Sequence, residues 1–390
     1  MRRGRFFPGL LLAVVILFFG RESAQAAILK SLQTNLATLA ASSTVHIATV
    51  TLPAAVDPNK AFLVFGMNVT SGDGSCSLVS GQITGSGTTL TFQRSGGVAC
   101  PATTIRWYVA EFVDGVRVLR GSQNMAASTT DINLGPQNSF NLTKSFPIIT
   151  LRSPDGSLGA DTYINAKIAN DAVQNRQELQ LISNVVPNTG NSVEWQVVEY
   201  ADCNVQTNAQ GADFNIASAT TTTVSAALTT PVDPERAWLL LTYRTQSTAG
   251  IGPQMVRGWI TPPSTLSFKK SVSGATVNLT WYLVEFTDGT LVRHNTGNAL
   301  ASGTPTGSWF TVPFSDPKTS IATTGGVFYR GGETTLNSVD DPGVATVTLT
   351  LTTPENLQLT RARTDAIATF SLFVVEFEPA ADDGGFFIQD

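Results

Sequence analysis

The stretch WYLVEFTDGT, at 281–290, has a near copy at 107–116, WYVAEFVDGV. Two fainter echoes are WQVVEY at 195–200 and LFVVEF at 372–377. The shared glutamates are Glu111, Glu199, Glu285 and Glu376, with separations of 88, 86 and 91 residues. Self-similarity at a fixed period is the signature of a repeat architecture. The sequence therefore predicts four units of about ninety residues.

Other landmarks keep the same spacing. VDPNKAFLVF at 56–65 matches VDPERAWLLL at 232–241, and SDPKTSIATT at 315–324 is a weaker copy. The second unit has only SFPIITL at 145–151, without the aspartate. The predicted division of the chain is a signal peptide followed by four repeats: 1–26, 27–121, 122–207, 208–297 and 298–390.

Each unit is predicted to be a small antiparallel β-sandwich. Segments such as AFLVFGMNV (61–69) and IRWYVAEF (105–112) are rich in β-branched and aromatic residues, and turn residues separate them. About six strands in ninety residues suit a sandwich, so the fold class is all-β with four tandem sandwiches. Hairpins are expected over 112–118 and 287–290, with Asp-Gly supplying the positive φ angles of a tight turn.

The first residues have the layout of a secretory signal peptide. Three arginines among the first five residues precede an apolar run over about 10–19, and Ala24-Gln25-Ala26 is a small-x-small site. Cleavage is expected after Ala26. The alternative is an uncleaved anchor, but a span needs about 20 apolar residues. The protein is thus expected to be exported to the periplasm, the cell surface or the medium, with no membrane span in the mature chain.

The charge composition argues against nucleic acid as a partner. The formal net charge is −5, and charged residues make up 14% of the chain, against roughly 25% in typical soluble domains. A nucleic-acid-binding domain usually carries a basic patch instead.

The cysteines and histidines are few. Cys76 and Cys100 fall in one unit and are expected to form a disulfide, as exported chains allow. Cys203 is expected to be a buried thiol or, alternatively, a link between two chains. His46 and His294 belong to no recognisable constellation, and no Cys/His cluster suits zinc. No metal and no cofactor are expected.

The four repeated glutamates are interpreted as structural acids. Alternation along a strand places Trp107, Val109 and Glu111 on one face, so the carboxylate is expected at the edge of a packed face, where it needs a partner. The expected role is an ion pair or a hydrogen-bond acceptor. Basic candidates follow the strand before each tryptophan or its equivalent in three units: Arg94, Lys269, Lys270 and Arg361.

Catalysis finds little support in the sequence. Nucleophilic hydrolysis needs a hydroxyl or thiol beside a base, and no such motif is present. Paired carboxylates can hydrolyse glycosides, but the adjacent pairs 340–341 and 382–383 lie in predicted loops. Trp259 and Trp309 each occur in a single unit, so they are the candidate ligand-binding residues, although core or inter-domain packing is the alternative for both.

Units 1 and 3 resemble the H-type lectin domain. GQITGSGTTLTF (81–92) followed by IRWYVAEF, and GWITPPSTLSF (258–268) followed by LTWYLVEF, have the order of that family's later strands. The resemblance implies a six-stranded sandwich that binds sugars through variable loops. The family usually assembles from separate domains, whereas this chain carries four units. The chain also resembles uncharacterised exported bacterial proteins with W-x-V-V-E-F repeats.

Two functions are therefore expected. The first is a non-enzymatic exported repeat protein with a structural or adhesive role at the cell surface, with self-association or surface glycans as partners. The alternative is a carbohydrate-binding, lectin-like module. A glycoside hydrolase ranks third.

Overall fold

A computed structural model of the chain describes residues 26–42, 44, 46–70, 73–95, 99–156, 158–246, 250–310, 316–325, 331–337 and 341–379. The predicted signal peptide lies outside these residues except for Ala26. No helix in the described residues is long and apolar enough to cross a membrane.

The chain is nearly all β, and one sandwich topology recurs four times. In each unit the first, sixth and third strands form one antiparallel sheet, and the second, fifth and fourth strands form the other. The strands of unit 1 are β1 (Leu29–Leu39), β2 (Ile47–Thr51), β3 (Ala61–Val69), β4 (Val79–Thr84), β5 (Thr89–Arg94) and β6 (Thr103–Phe112). Those of unit 2 are β7 (Val116–Asn124), β8 (Thr129–Pro136), β9 (Ser145–Arg152), β10 (Asn165–Asp171), β11 (Arg176–Ile182) and β12 (Ser192–Tyr200).

Units 3 and 4 each have one strand in two pieces. Unit 3 has a divided first strand: β13 (Cys203–Thr207), β14 (Phe214–Ile216), β15 (Val224–Ala227), β16 (Ala237–Thr245), β17 (Arg257–Thr261), β18 (Thr265–Lys269) and β19 (Val277–Phe286). Unit 4 has a divided third strand: β20 (Leu291–Leu300), β21 (Thr306–Phe310), β22 (Ser320–Thr323), β23 (Gly332–Thr334), β24 (Thr348–Thr353), β25 (Asn356–Thr360) and β26 (Ala368–Glu376). Short helical segments occur at Gly74–Ser77, Gly85–Gly87, Pro234–Arg236 and Pro342–Val344.

The predicted hairpins over 112–118 and 287–290 are both wrong, and they misplaced the unit boundaries. At the second one, β20 pairs with β26 of unit 4 and not with β19. β6 pairs with β1 and β3, whereas β7 pairs with β12 of the next unit. Gly115 does adopt a positive φ of 72°, but its turn joins two units instead of two paired strands. The predicted boundaries at 121, 207 and 297 consequently fall within or at the end of strands of the following unit, and the true junctions lie at 113–115, 201–202 and 287–290.

The four units close into a ring in which each unit packs its fourth strand on the next unit. The Gly81 N–H of β4 donates to Thr150 of unit 2, and the Ile168 N–H of β10 donates to the Tyr282 hydroxyl of unit 3. From the fourth unit, Leu349 O of β24 accepts the Tyr108 hydroxyl of unit 1. Head-to-tail interfaces that return to their origin generate a closed ring.

This packing also covers the edges of the smaller sheets. An uncovered edge strand exposes unpaired N–H and C=O groups and promotes aggregation. Side chains of the neighbouring unit bond some of these groups, at Gly81 in β4, Ala166 and Ile168 in β10, and Leu349 in β24. Between units 3 and 4, the contact from β17 to β23 is instead an ion pair of Arg257 with Glu333, at 3.0 Å.

The sixth strand is buried on both faces as a result. Trp107 and Tyr108, which point to opposite faces, are 1% and 2% exposed. Phe65 lies opposite Trp107 and packs edge-on against Phe92 of the smaller sheet, so this face lies inside the sandwich. The Tyr108 face meets unit 4. Glu111, expected at the edge of a packed face, is therefore itself buried, at 2% exposure.

One end of the ring axis is closed by four aromatic rings, each from the residue that follows a repeated glutamate. The ring centroids are 5.5 Å apart for Phe112 and Tyr200, and 5.1 Å apart for Tyr200 and Phe286. They are 6.2 Å apart for Phe286 and Phe377, and 5.2 Å apart for Phe377 and Phe112, which completes the circle. Such pairs contribute about 0.5–1.5 kcal/mol each beyond area burial. We call this the aromatic end.

The segments joining the units form a circle of backbone hydrogen bonds at the same end. Val113 N–H donates to Ile28 O, Ala201 N–H to Gly115 O, Thr287 N–H to Asp202 O, and Leu29 N–H to Glu378 O. The first residue of β1 therefore bonds the segment just after the fourth unit, which closes the circle. We call this circle the linker ring.

At the opposite end, the described parts of the loops between third and fourth strands meet in a second circle. We call this circle the loop collar; its described residues are 70, 73–78, 153–156, 158–164, 246, 250–256, 335–337 and 341–347. Gly74 N–H donates to Gly156 O at 2.7 Å, and Tyr163 contacts Met255. Gly252 and Gly343 approach Leu336 O and Val69 O so closely that a β-carbon would lie 2.2 and 2.1 Å away.

Candidate functional site

The four repeated glutamates occupy one structural position. Each accepts the backbone N–H of a turn residue before the third strand of its own unit, at 2.8, 2.7, 2.7 and 3.2 Å for Glu111–Asp57, Glu199–Asn141, Glu285–Asp233 and Glu376–Asp316. The side-chain oxygen of that turn residue accepts the backbone N–H of the residue two positions later. The acid thus fixes the entry of the strand that lines the ring axis.

Asn141 takes the aspartate position in unit 2, which the sequence pattern missed. Its side-chain oxygen accepts Thr143 N–H at 3.0 Å, as Asp57 accepts Asn59 N–H in unit 1. Asparagine and aspartate share this turn geometry because both present an oxygen at the same place. A search for either residue would have found the fourth copy.

The basic partners expected for the glutamates are wrong. Arg94, Lys270 and Arg361 bond backbone carbonyls of nearby loops, while Lys269 lies 3.6 Å from Glu333. Arg94 ends the fifth strand, next to the start of the sixth, whereas Glu111 lies at the far end of that sixth strand. The observed ion partners are Lys30 for Glu111 and Arg117 for Glu199, both at 2.8 Å.

The cysteines are placed as follows. Cys76 and Cys100 form a disulfide. Cys203 is free and buried, and its thiol lies 3.2 Å from Tyr200 O. Burial raises the pKa of this thiol to about 12, so it is protonated and unreactive at neutral pH. This environment agrees with the buried-thiol alternative and leaves no exposed sulfur for a link between chains.

Trp259 and Trp309, the candidate ligand-binding residues, lie in different units. Trp259 is partly exposed in β17, and the Arg257 guanidinium covers its ring at 4.2 Å. Trp309 in β21 is partly buried and packs against the hydrophobic core. Each ring therefore has packing partners of its own, and the role of both in ligand binding stays a prediction.

The histidines also lie apart. His46 belongs to unit 1, and His294 lies in β20 of unit 4, where it stacks on Phe373 and burial lowers its pKa. Neither ring hydrogen-bonds a hydroxyl or thiol in the described part of the chain. Among the described residues, no group of three or more His, Cys, Asp or Glu side chains is placed to hold a metal ion.

The most polar candidate site is a cleft between units 1 and 2, beside the loop collar. It encloses about 710 Å³, including solvent at its mouth, and its lining comes from two parts of unit 1 and two of unit 2: Thr44, His46, Ile47, Gln93, Arg94, Ser95, Arg152, Pro154, Thr189 and Gly190. Binding sites of about 300–1,000 Å³ commonly lie at domain interfaces. Sequence reasoning missed it because its residues carry no motif.

Arg152 is the principal charged group of this cleft. Its guanidinium donates to Gln93 Oε1 at 2.6 Å and lies 3.9 Å from Glu194, with 22% of the side chain exposed. Burial raises the pKa of Glu194, while the Ser122 hydroxyl and the charge of Arg152 act in the opposite direction. The cleft offers a guanidinium, an amide and hydroxyls, which suit the hydroxyl and carboxylate groups of saccharides.

A pair of acids lies in the loop collar next to this cleft. Burial, and then hydrogen bonding and charge from Asp155, raise the pKa of Asp161 to about 6. Asp155 accepts hydrogen bonds from Ser153 and from Asn188. Asp161 thus keeps its proton into mildly acidic solution, with Asp155 as its hydrogen-bonded neighbour.

The ring axis also contains a narrow cavity, of about 540 Å³ by the same measure. It is lined by third strands of all four units, for example at Leu63, Ile148, Trp238 and Thr323. Its lining is mostly apolar, so it offers few groups that could orient a polar ligand.

Comparison with known proteins gives no relative: no protein-family model matches this chain, and no curated protein matches it. The resemblance to H-type lectins and to exported repeat proteins therefore stays a prediction.

Proposed function

We propose that this protein is a non-enzymatic exported protein that acts in adhesion at a cell surface, with the loop collar as its contact surface. The observation that carries the proposal is that four unequal loops meet at one end of the ring. Rigid sandwiches commonly carry binding residues on such loops. The repeated acids are all engaged in holding turns, which supports a non-catalytic role for them.

Because the ring is closed, the proposed adhesive role is that of a compact body and not of an extended rod. Four sandwiches in a row would make a spacer, with successive sites along a rod. In the ring, the end of unit 4 contacts the beginning of unit 1, between Glu378 and Leu29. The proposal is accordingly a compact adhesive head, and no longer an extended spacer.

Binding of purified 27–390 to cells or to extracted surface polymer tests this function. Thr70→Arg and Asn337→Arg alter exposed positions at the loop collar, and Asn59→Arg is the matched control at the aromatic end. The collar variants should lower binding at least tenfold, while the control keeps it. Absence of binding by the wild-type protein, or equal loss in the control, would contradict the proposal.

A second candidate is saccharide binding in the cleft between units 1 and 2. The specific support is the Arg152–Gln93 pair, whose donors face an inter-unit cleft of suitable size. Arginine recognises planar carboxylates in a bidentate manner, so acidic sugars are the favoured class. This candidate moves the proposed sugar site away from Trp259 and Trp309.

A glycan array separates the two sugar sites. Arg152→Gln and Thr189→Val should abolish binding of an acidic glycan, whereas Trp259→Ala and Trp309→Ala should leave it intact. Arg117→Gln, an exposed arginine elsewhere in unit 2, is the control. Loss of binding in the tryptophan variants alone would restore the original site.

A further inference from the structure

The backbone nitrogen of Ala27 occupies an unusual position for the start of a mature chain. Ala27 is 1% exposed, and its N–H donates to Asp202 Oδ2 at 2.7 Å. Asp202 lies 175 residues away, in the junction between units 2 and 3. The residue before it, Ala26, is exposed. The predicted cleavage site therefore lies directly beside a partly buried contact with a carboxylate.

The surrounding backbone leaves little room for another arrangement. Gly115, in the first junction, approaches so closely that a β-carbon would lie 2.5 Å from Ala27 N. The next two residues, Ile28 and Leu29, complete the linker ring through Val113 and Glu378. The atom released by cleavage thus bonds Asp202 and is closely approached by Gly115, while the two residues after it are fixed in the linker ring.

Cleavage changes the chemistry of that atom. A signal peptidase adds water across the Ala26–Ala27 bond: the C–N bond breaks, Ala26 gains the carboxylate oxygen, and Ala27 N becomes a protonated amine. A neutral amide donor is thereby replaced by an ammonium group beside a carboxylate. Charge-assisted hydrogen bonds are roughly twice as strong as neutral ones.

We propose that removal of residues 1–26 creates an internal ion pair between the Ala27 α-ammonium and Asp202, and that this pair locks the ring closed. In the precursor, the same carboxylate receives only an amide hydrogen bond. Full stability of the ring is thus reached only after export and processing. The inference rests on the predicted cleavage site and is independent of the adhesive function.

The local charges favour a cation at this point. Asp288 lies near Asp202 and accepts the Tyr200 hydroxyl at 2.7 Å. Burial raises the pKa of Asp288, and the negative charge of Asp202 adds to the increase. Two neighbouring acids in a partly buried junction repel one another. An ammonium group at Ala27 offsets that repulsion, which an amide cannot do.

The first experiment is the intact mass of protein exported from full-length chain. Ala27 at the amino terminus supports the proposal. Any other start overturns it, because no free amine would then stand at the atom that contacts Asp202.

The second experiment measures the coupling between the amine and the carboxylate. One protein begins at Ala27, released from a fusion that leaves no extra residue; the matched control begins at Ser23. Asp202→Asn is made in both, and urea unfolding is compared at pH 7. The variant should raise the unfolding equilibrium constant about tenfold more in the Ala27 protein, the gap between charged and neutral hydrogen bonds. Equal effects in the two proteins would overturn the proposal.

A third measurement needs no variant at position 202. The rate at which an amine-reactive acetylating reagent modifies the α-amino group is followed in both folded proteins, with urea-unfolded chains as reference. The Ala27 amine should be protected at least tenfold relative to its unfolded chain, and the Ser23 amine should not. An unprotected Ala27 amine would contradict the ion pair even where Asp202→Asn fails to fold.

Discussion

At the aromatic end of the ring, equivalent residues make the same contacts in all four units, whereas at the collar four different loops meet. Glu111 and its three counterparts hold the same turn, and the aromatic residue after each one joins the central cluster. The loops of the collar share no such rule. Strict repetition thus marks the contacts at the aromatic end, whereas the contacts of the collar differ from one junction to the next.

The largest effect is expected from Phe112→Ala, which removes one of the four central rings. Burial is nearly complete, at 1% exposure, and Phe-to-Ala changes in cores cost about 3–5 kcal/mol. Urea unfolding gives the loss of stability. Phe92→Ala, inside unit 1, is the control of equal size. Only the central variant should speed hydrogen exchange of the Ala201 and Leu29 amides, and equal exchange in both would break the distinction between the ends.

The disulfide comes next, and it lies near the collar. Cys76 and Cys100 are 24 residues apart, and closing a loop of that length stabilises a fold by roughly 3 kcal/mol. Cys76→Ser with Cys100→Ser should lower the free energy of unfolding by about that amount while the linker ring stays intact. In the denatured wild type, one thiol should react before reduction and three after it; three before reduction would exclude the bond.

Substitutions of Glu285 test whether a repeated acid stabilises the fold through its charge or through its hydrogen bond. Glu285 accepts the Asp233 N–H at 2.7 Å. Glu285→Ala removes the acceptor and should cost about 1–3 kcal/mol, whereas Glu285→Gln keeps an oxygen and should cost less than half as much. Thermal unfolding compares both with the exposed control Glu235→Gln. A large loss of surface binding with no loss of stability would mean that the acid is functional.

The smallest effect concerns Asp161 in the collar. Its pKa of about 6 in the folded chain, against the usual 3.8, means that its contribution to stability is complete below about pH 3.8 and is lost as the pH rises through 6. Asp161→Asn should therefore stabilise the protein at about pH 7.5 and have little effect at about pH 3, below both pKa values. The carboxyl is half-buried, so a gain of about 1 kcal/mol is expected after discounting for solvent.

The stability profile of Asp131→Asn, an exposed carboxylate of unit 2, provides the control for this pH dependence. A gain for Asp161→Asn that is the same at both pH values would contradict the raised pKa of Asp161.

The sequence was sufficient for the repeat and the strand content because both depend on local patterns. Glu111 and its copies recur at a fixed spacing, and period-two burial follows from the strands. The ring could not be predicted, because its contacts join residues such as Tyr108 and Leu349 that share no pattern. The hairpin prediction failed for the same reason: an Asp-Gly turn has the same local preference whether it joins paired strands or separate units.

The candidate cleft shows the same limit. Gln93 and Arg152 come from different units and lie in no motif, so only the packing of unit 1 against unit 2 brings them together. Trp259 stood out by its rarity among the repeats, yet Arg257 covers its ring. Rarity in a repeat identifies a difference between units, and the structure decides whether that difference is accessible.

The closed ring is tested most directly by small-angle X-ray scattering of monodisperse 27–390. A compact chain of this length has a radius of gyration of about 21 Å, whereas four separate units in a row would give roughly 35 Å. The ring predicts the smaller value, and Phe112→Ala should raise it if the ring opens. A wild-type value above about 30 Å would contradict the closure on which the comparison of the two ends depends.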